Sequence, residues 1–255
     1  MDFGRAIVLF SAGFLAGVMN SVAGGGTIVT FPALIVSGLS SIVANATSTI
    51  ALLPGTLSMV FSYRKNIPTV RLWLRRFAPV SLVGGLIGGI LLVLTPSRIF
   101  DWLVPFLILL ATLLFMANTA VRKFIRPAGS TVTAQWLLGA VIFQFCVAVY
   151  GGYFGAGIGI LMLASLGMIG VGDIHEMNTL KTILGFLINI IAAVYFVFSG
   201  IVHWPSVGMM AIGTVLGGYS GAHVAQKMKP RYVRVAIAAI GFILSGLMLY
   251  RQVVR

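Results

Sequence analysis

Two glycine-rich segments interrupt long apolar runs, and their residue types suit the binding of an anion. The first is Gly24-Gly25-Gly26-Thr27, with Asn20 just before it, and the second is Gly155-Ala156-Gly157-Ile158-Gly159. Glycine leaves backbone N–H groups free for a ligand, and a short apolar run follows each segment. That run predicts a helix whose N-terminus directs its positive dipole end at the break. The two segments together therefore predict an anion site.

Two polar groups in later apolar runs have the spacing of ligands on one helix face. Their members are three or four positions apart, which places them on the same side of a helix. The groups are Asn45, Ser48 and Thr49 in one run, and Asn178, Lys181 and Thr182 in the other. We expect the neutral members to donate hydrogen bonds that replace the water lost by the anion, and Lys181 to add charge.

Lys181 is the one basic residue that lies within an apolar run. It follows Asp173 by eight residues, which places it about 12 Å along a helix at a rise of 1.5 Å per residue. An ammonium at that depth in a bilayer is costly, which favours a functional role. The alternative is a lysine whose head group reaches back to the membrane interface.

Close helix packing is the alternative interpretation of the glycine segments. It is our interpretation of the other glycine pairs, Gly84-Gly85, Gly88-Gly89 and Gly217-Gly218. His, Cys and acidic residues show no spacing typical of metal ligands. We therefore predict no catalytic residue, no metal and no cofactor.

The composition is that of a membrane protein, and the sequence predicts an all-α, polytopic chain. Apolar residues make up 59% and charged residues 8% of 255 residues, and the mean hydropathy is +1.08. Basic residues give a formal net charge of +13. They cluster between apolar runs, which is typical of the positive-inside rule. The lipid bilayer is therefore the expected partner, and nucleic acid is not.

The order of landmarks occurs twice along the chain and predicts an internal duplication. A shift of 133 positions superposes Asn45 on Asn178, and a shift of 131 superposes Gly24 on Gly155. We place the first repeat at residues 1–127 and the second at 128–255. Each repeat reads as a long run, a glycine break, a short run and three long runs. The chain would then have about eight full-length transmembrane helices and two short ones.

The short runs, about 27–38 and 160–170, decide the topology because each either crosses the membrane or re-enters it. If each counts as a crossing, a repeat has five crossings and the second repeat is inverted. Twelve basic residues outside Lys181 would then face one side and four the other. Re-entrant runs would give 11 against five, so the inverted arrangement of five plus five segments is favoured.

The sequence resembles the sulfite exporter TauE/SafE family, also called toluene sulfonate uptake permeases, over essentially its whole length. The first-half pattern is present as Gly24-Gly25-Gly26, Pro32, Gly38 and Ala44-Asn45-Ala46-Thr47-Ser48. The second-half pattern is present as Gly155-Ala156-Gly157, Met177-Asn178-Thr179-Leu180-Lys181, Gly200-Ile201-Val202 and Gly217-Gly218-Tyr219-Ser220-Gly221. Ala156 departs from the pattern, as does the lack of proline at Leu163 or Ala164.

The resemblance implies a permease for sulfite or short organosulfonates in a bacterial inner membrane. With the residues above, it leads us to expect a secondary transporter that works by alternating access, with the anion near the midplane. An anion channel and a scaffold or maturation subunit without transport are the alternatives. The sequence leaves open the coupling ion, the direction of transport and whether the protein forms a homo-oligomer.

Overall fold

The computed structural model describes residues 3–22, 25–121, 134–168, 174–224, 238–239, 241–243 and 245–250. Over these residues the chain is helical and has no strand, which confirms the predicted all-α class. The helices are α1 (Phe3–Val22), α2 (Thr27–Val36), α3 (Ser41–Ser62), α4 (Ile67–Leu94), α5 (Ser97–Val121), α6 (Ala134–Tyr153), α7 (Ile158–Met168), α8 (Ile174–Phe198) and α9 (Trp204–Val224). A short 3-10 turn, Arg64–Asn66, joins α3 to α4, and the described residues of 238–250 are also helical.

Four helical stretches in the described part of the chain are long and apolar enough to cross a membrane. They are Ser41–Ser62, Arg64–Leu94, Ser97–Leu114 and His175–Phe198. Large apolar side chains such as Phe198 and Val36 lie exposed on the outside of the helices. Lipid covers such side chains in a membrane protein, so this surface agrees with a polytopic chain. The predicted number of eight full-length helices and the inversion of the repeats stay predictions.

Glycines allow α1 and α9 to approach closely. A methyl group on Gly13 would overlap the carbonyl oxygen of Met210, and one on Gly17 would overlap that of Thr214. The later glycine of α1 contacts the later residue of α9, so α1 and α9 run parallel. Close backbone contact through small residues is the usual packing of membrane helices, because lipid provides no hydrophobic drive between them.

The helix α4 packs in the same way against α6 and α8. A Cβ atom on Gly84 would lie 2.6 Å from the Cβ of Ala148, and one on Gly88 would lie 2.7 Å from the amide nitrogen of Tyr153. On its other side, Gly85 and Gly89 face Ile188 and Ala192 of α8. In both sets the residue numbers of the two contacting helices increase in the same direction, so α4, α6 and α8 run parallel.

Hydrogen bonds orient α3 within this arrangement. The backbone N–H of His203 donates to the Thr47 hydroxyl at 3.1 Å, and the Thr214 hydroxyl donates to the Ala51 carbonyl at 3.0 Å. Thus α3 runs parallel to α9 and α1. The Asn45 amide, near the start of α3, donates to the carbonyl of Tyr153 at the end of α6. The group α1, α3 and α9 is therefore antiparallel to the group α4, α6 and α8.

The short helices α2 and α7 each reverse the chain. Because α1 and α3 run in one direction, α2 must return between them, and α7 does the same between α6 and α8. The glycine segments lie at these two reversals, after Val22 and after Tyr153. The predicted breaks therefore separate a long helix from a short one in both halves of the chain.

Neighbouring glycines on α9 offer a test of this packing. A methyl group on Gly217 would overlap the backbone of Phe14, whereas one on Gly218 would meet no atom within 4 Å. We expect Gly217→Ala to destabilise the protein by about 1 to 3 kcal/mol through overpacking, and Gly218→Ala to have little effect. Thermal unfolding in detergent measures both, and equal stabilities would contradict the close α1–α9 contact.

Candidate functional site

A cavity of about 80 Å³ lies between α3 and α8 and reaches both glycine segments. Its walls come from α1, α2, α3, α7, α8 and the two breaks, so the structure brings together the elements that the sequence predicted to converge. The lining residues are Asn20, Gly25, Gly26, Thr27, Leu52, Thr56, Met59, Gly155, Ile158, Gly159, Met162, Lys181, Thr182, Gly185 and Asn189.

More than half of the predicted binding residues line this cavity. They are Asn20, Gly25, Gly26, Thr27, Gly155, Lys181 and Thr182. Gly157 is in the second break but is not a lining residue. A Cβ atom there would be 3.6 Å from the Cα of Ala111 in α5. Gly24 lies outside the described residues.

The first break is held by a side chain from the helix before it. The amide oxygen of Asn20 accepts a hydrogen bond from the backbone N–H of Gly26 at 2.8 Å. Gly25 has a φ of +97°, a conformation that residues with a Cβ atom rarely adopt. The next helix begins at Thr27, so its N-terminus lies at the cavity wall.

The second break has two glycines in the left-handed region and a tyrosine that holds its carbonyl. Gly155 and Gly157 have φ values of +78° and +79°, which accounts for glycine at both positions. The Tyr150 hydroxyl donates to the carbonyl of Ala156 at 2.8 Å. The helix α7 then begins at Ile158, which also lines the cavity.

Lys181 lies across the first turn of α7. A Cβ atom on Gly159 would be 3.3 Å from the Cδ of Lys181, so the absence of a side chain there makes room for the lysine stem. Its ammonium donates to the amide oxygen of Asn178 at 3.2 Å. The Thr182 hydroxyl donates to the carbonyl of Asn178 at 2.8 Å.

The charges around the cavity suit an anion. Lys181 is the one ionisable residue in the described lining, which contains no carboxylate. The N-termini of α2 and α7 add positive partial charge from the backbone. Over the described part of the chain, no group of three or more His, Cys, Asp or Glu side chains could hold a metal ion.

The first polar trio lies away from the cavity lining. The Asn45 amide donates to the Tyr153 carbonyl at 2.8 Å, and the hydroxyls of Ser48 and Thr30 share a hydrogen bond. The Thr49 hydroxyl donates to the carbonyl of Asn45 at 3.0 Å. These side chains therefore bond to the protein in this conformation, and their role as anion ligands stays a prediction.

The sequence reasoning missed two polar residues of the lining, Thr56 and Asn189. They are 133 positions apart, which is the offset that relates Asn45 to Asn178. Asn189 also follows Lys181 by eight residues, with Gly185 midway, so the three lie along one stripe of α8. The offset of 133 positions, combined with the helical spacing from Lys181, could have identified both residues from the sequence.

Several long apolar helices around a small, partly polar cavity are typical of a multi-pass membrane protein. The chain belongs to the sulfite exporter TauE/SafE family, which matches residues 9–248. It is a bacterial membrane protein of a transporter family.

Three relatives illustrate the similarity. A probable membrane transporter protein of Haemophilus influenzae is 26% identical over 99% of this chain and 98% of its own. The probable membrane transporter protein ORF9 of a Sinorhizobium species is 30% identical over 90% and 88%. The probable membrane transporter protein YfcA of Escherichia coli K12 is 26% identical over 95% and 89%. No solved structure matches this chain.

Asn20 allows a test of how the first break is held. We expect Asn20→Ala to lower the free energy of unfolding by about 1 to 3 kcal/mol, because the buried N–H of Gly26 loses its acceptor. Ser62→Ala removes a hydrogen bond from an exposed hydroxyl to the Ser58 carbonyl, and we expect it to change stability little. Thermal unfolding in detergent compares the two, and equal losses would show that Asn20 has no special role.

Proposed function

We propose that the protein is a secondary transporter for small sulfur-containing anions of the sulfite or organosulfonate class. It would move them across the bacterial inner membrane by alternating access. The observation that carries this proposal is the cavity between the two glycine breaks, where, among the lining residues that the structure describes, Lys181 is the one cation and no carboxylate competes with an anion.

The packing of the helices supports two inverted repeats of five segments each, residues 1–127 and 128–255. The first helix of the first repeat, α1, packs on the fourth helix of the second, α9. The corresponding pair with the repeats exchanged, α6 and α4, also packs together. Because α1 and α6 run in opposite directions, the second repeat would be inverted, an arrangement that places the site at the repeat interface.

The substrate class rests on charge and on the family. Oxygens of a sulfite or sulfonate group accept several hydrogen bonds, and Thr27 and Asn189 are neutral lining residues able to donate them. The Lys181 ammonium would balance the charge of the anion. The family name, sulfite exporter, points to the same chemistry.

Lys181 provides the sharpest test of this site. We expect Lys181→Met to weaken anion binding by roughly tenfold to a hundredfold, because a hydrogen bond to a charged group contributes about 1.5 to 3 kcal/mol. Lys181→Arg should retain part of the affinity, since it keeps the charge. Lys65→Met, which removes an exposed lysine, is the matched control.

The measurement is uptake of radiolabelled sulfite, thiosulfate and short sulfonates into liposomes that contain the purified protein. Saturable uptake that is lost in Lys181→Met and kept in Lys65→Met is the expected result. Flux that does not saturate would favour an anion channel. No flux of any of these anions, in protein that remains folded, would favour a scaffold.

Gly185 tests whether the anion passes through this cavity. A Cβ atom at Gly185 would meet no atom within 4 Å, although the residue lines the cavity. We therefore expect Gly185→Leu to fold normally and to block transport by filling the space. Gly208, an exposed glycine of α9 with equally open surroundings, gives the control Gly208→Leu. Unimpaired uptake by Gly185→Leu would place the pathway elsewhere.

A further inference from the structure

We propose that this structure is the state open toward the face that bears Arg64 and Lys65, and that an outer gate closes the opposite face. The outer gate comprises Phe31, Phe100, Phe154 and the hydrogen bond from Asn45 to Tyr153. The inference rests on the proposed transport function and adds to it the side of access and the residues that close the other side.

The cavity extends toward one end of α3. Its lining residues on α3 are Leu52, Thr56 and Met59, all in the C-terminal half of the helix. Met59 is three residues from the end of α3 at Ser62, or about 4.5 Å at 1.5 Å per residue. The exposed Arg64 and Lys65 follow directly. By the positive-inside rule this end faces the cytoplasm.

Aromatic side chains fill the space toward the other end. The rings of Phe31 and Phe154 meet edge to face with centroids 5.5 Å apart, and Phe100 lies 6.4 Å from Phe154. All three are at most 2% exposed. Phe100 lies near the start of α5, and the basic residues before α4 lie at the opposite end of the bundle. The aromatic cluster therefore separates the cavity from the outer face.

A hydrogen bond between α3 and α6 lies beside this aromatic cluster. The Asn45 amide donates across to the Tyr153 carbonyl of α6, next to Phe154. The amide oxygen of Asn45 is buried and accepts no hydrogen bond from the described residues. A buried acceptor without a donor is unfavourable, so this closed arrangement is not fully satisfied. That is expected of a contact that must break in each transport cycle.

Two pairs of equivalent positions differ between the two halves, although Thr56 and Asn189, which are also equivalent, both line the cavity. Asn45 is buried and bonds across to α6, whereas Asn178, 133 positions on, is half-buried and accepts from Lys181 of its own helix. Met59 lines the cavity, whereas Ala192 at the equivalent position is fully buried. A duplicated scaffold with one half closed and the other open is what alternating access requires of a single state.

Single cysteines test the side of access without reference to any substrate. Cys146, the one native cysteine, is first changed to Ser, and Thr56→Cys or Leu57→Cys is added. Leu57 is next to Thr56 but is 39% exposed on the outside of the helix, where lipid would suppress thiolate formation. A membrane-impermeant maleimide is applied to inside-out and right-side-out vesicles of the bacterial membrane.

We expect Thr56→Cys to be labelled several-fold faster in inside-out than in right-side-out vesicles, and Leu57→Cys to be labelled in neither. Faster labelling of Thr56→Cys in right-side-out vesicles, or no labelling in either, would overturn the assigned side. Because labelling requires no transport, failure here is distinct from failure of the sulfur-anion proposal.

A second pair of variants tests the outer gate. Ser48→Cys lies beside the gate at a fully buried position, and we expect it to be protected in right-side-out vesicles. Adding Asn45→Ala should increase its labelling from the outside several-fold, because the hydrogen bond to Tyr153 is lost. Adding Ser62→Ala, at the far end of α3, should not. Protection that persists in the Asn45→Ala variant would show that Asn45 does not hold the gate.

Discussion

The absence of water in the bilayer core is the constraint on which this structure depends. A chain can leave the helical conformation there only where it is buried in protein, whose groups bond to its backbone, or where it lines a water-filled cavity. Asn20 does this at the first break by accepting from the Gly26 N–H, and Tyr150 does it at the second by donating to the Ala156 carbonyl. With the breaks held in this way, α2 and α7 can begin inside the protein and present their N-termini to one cavity.

The proposed duplication would explain how one cavity comes to have two such termini, and divergence of the two halves would explain its single charge. The helices α3 and α8 correspond to each other in the proposed repeats, yet α3 has Ser48 at the position equivalent to Lys181 of α8. Ser48 bonds to Thr30 within the protein, whereas Lys181 lines the cavity. A pair of lysines would repel each other in a space of about 80 Å³, so one cation with neutral donors is the better match to a small anion.

The sequence predicted the elements better than it predicted their contacts. The glycine segments and Lys181 could be found because glycine and lysine are unusual at such positions in an apolar run, and the structure brings them to one cavity. Asn45 and Ser48 were grouped with them from helical spacing alone. Their hydrogen-bond partners, Tyr153 and Thr30, belong to other helices, and no local sequence pattern shows which residues of distant helices bond to each other. Gly217 packs as predicted and Gly218 does not, because helix rotation decides which of two neighbours faces the partner.

The most direct test of the central claim is to locate the anion itself. Selenite is a heavier analogue of sulfite, and its anomalous scattering would mark its position in crystals of the protein grown with it. We predict a peak between the two glycine breaks, within hydrogen-bonding distance of the Lys181 ammonium, and no such peak in crystals of Lys181→Met. A peak at another location, or one that persists unchanged without the lysine, would contradict the site described for this protein.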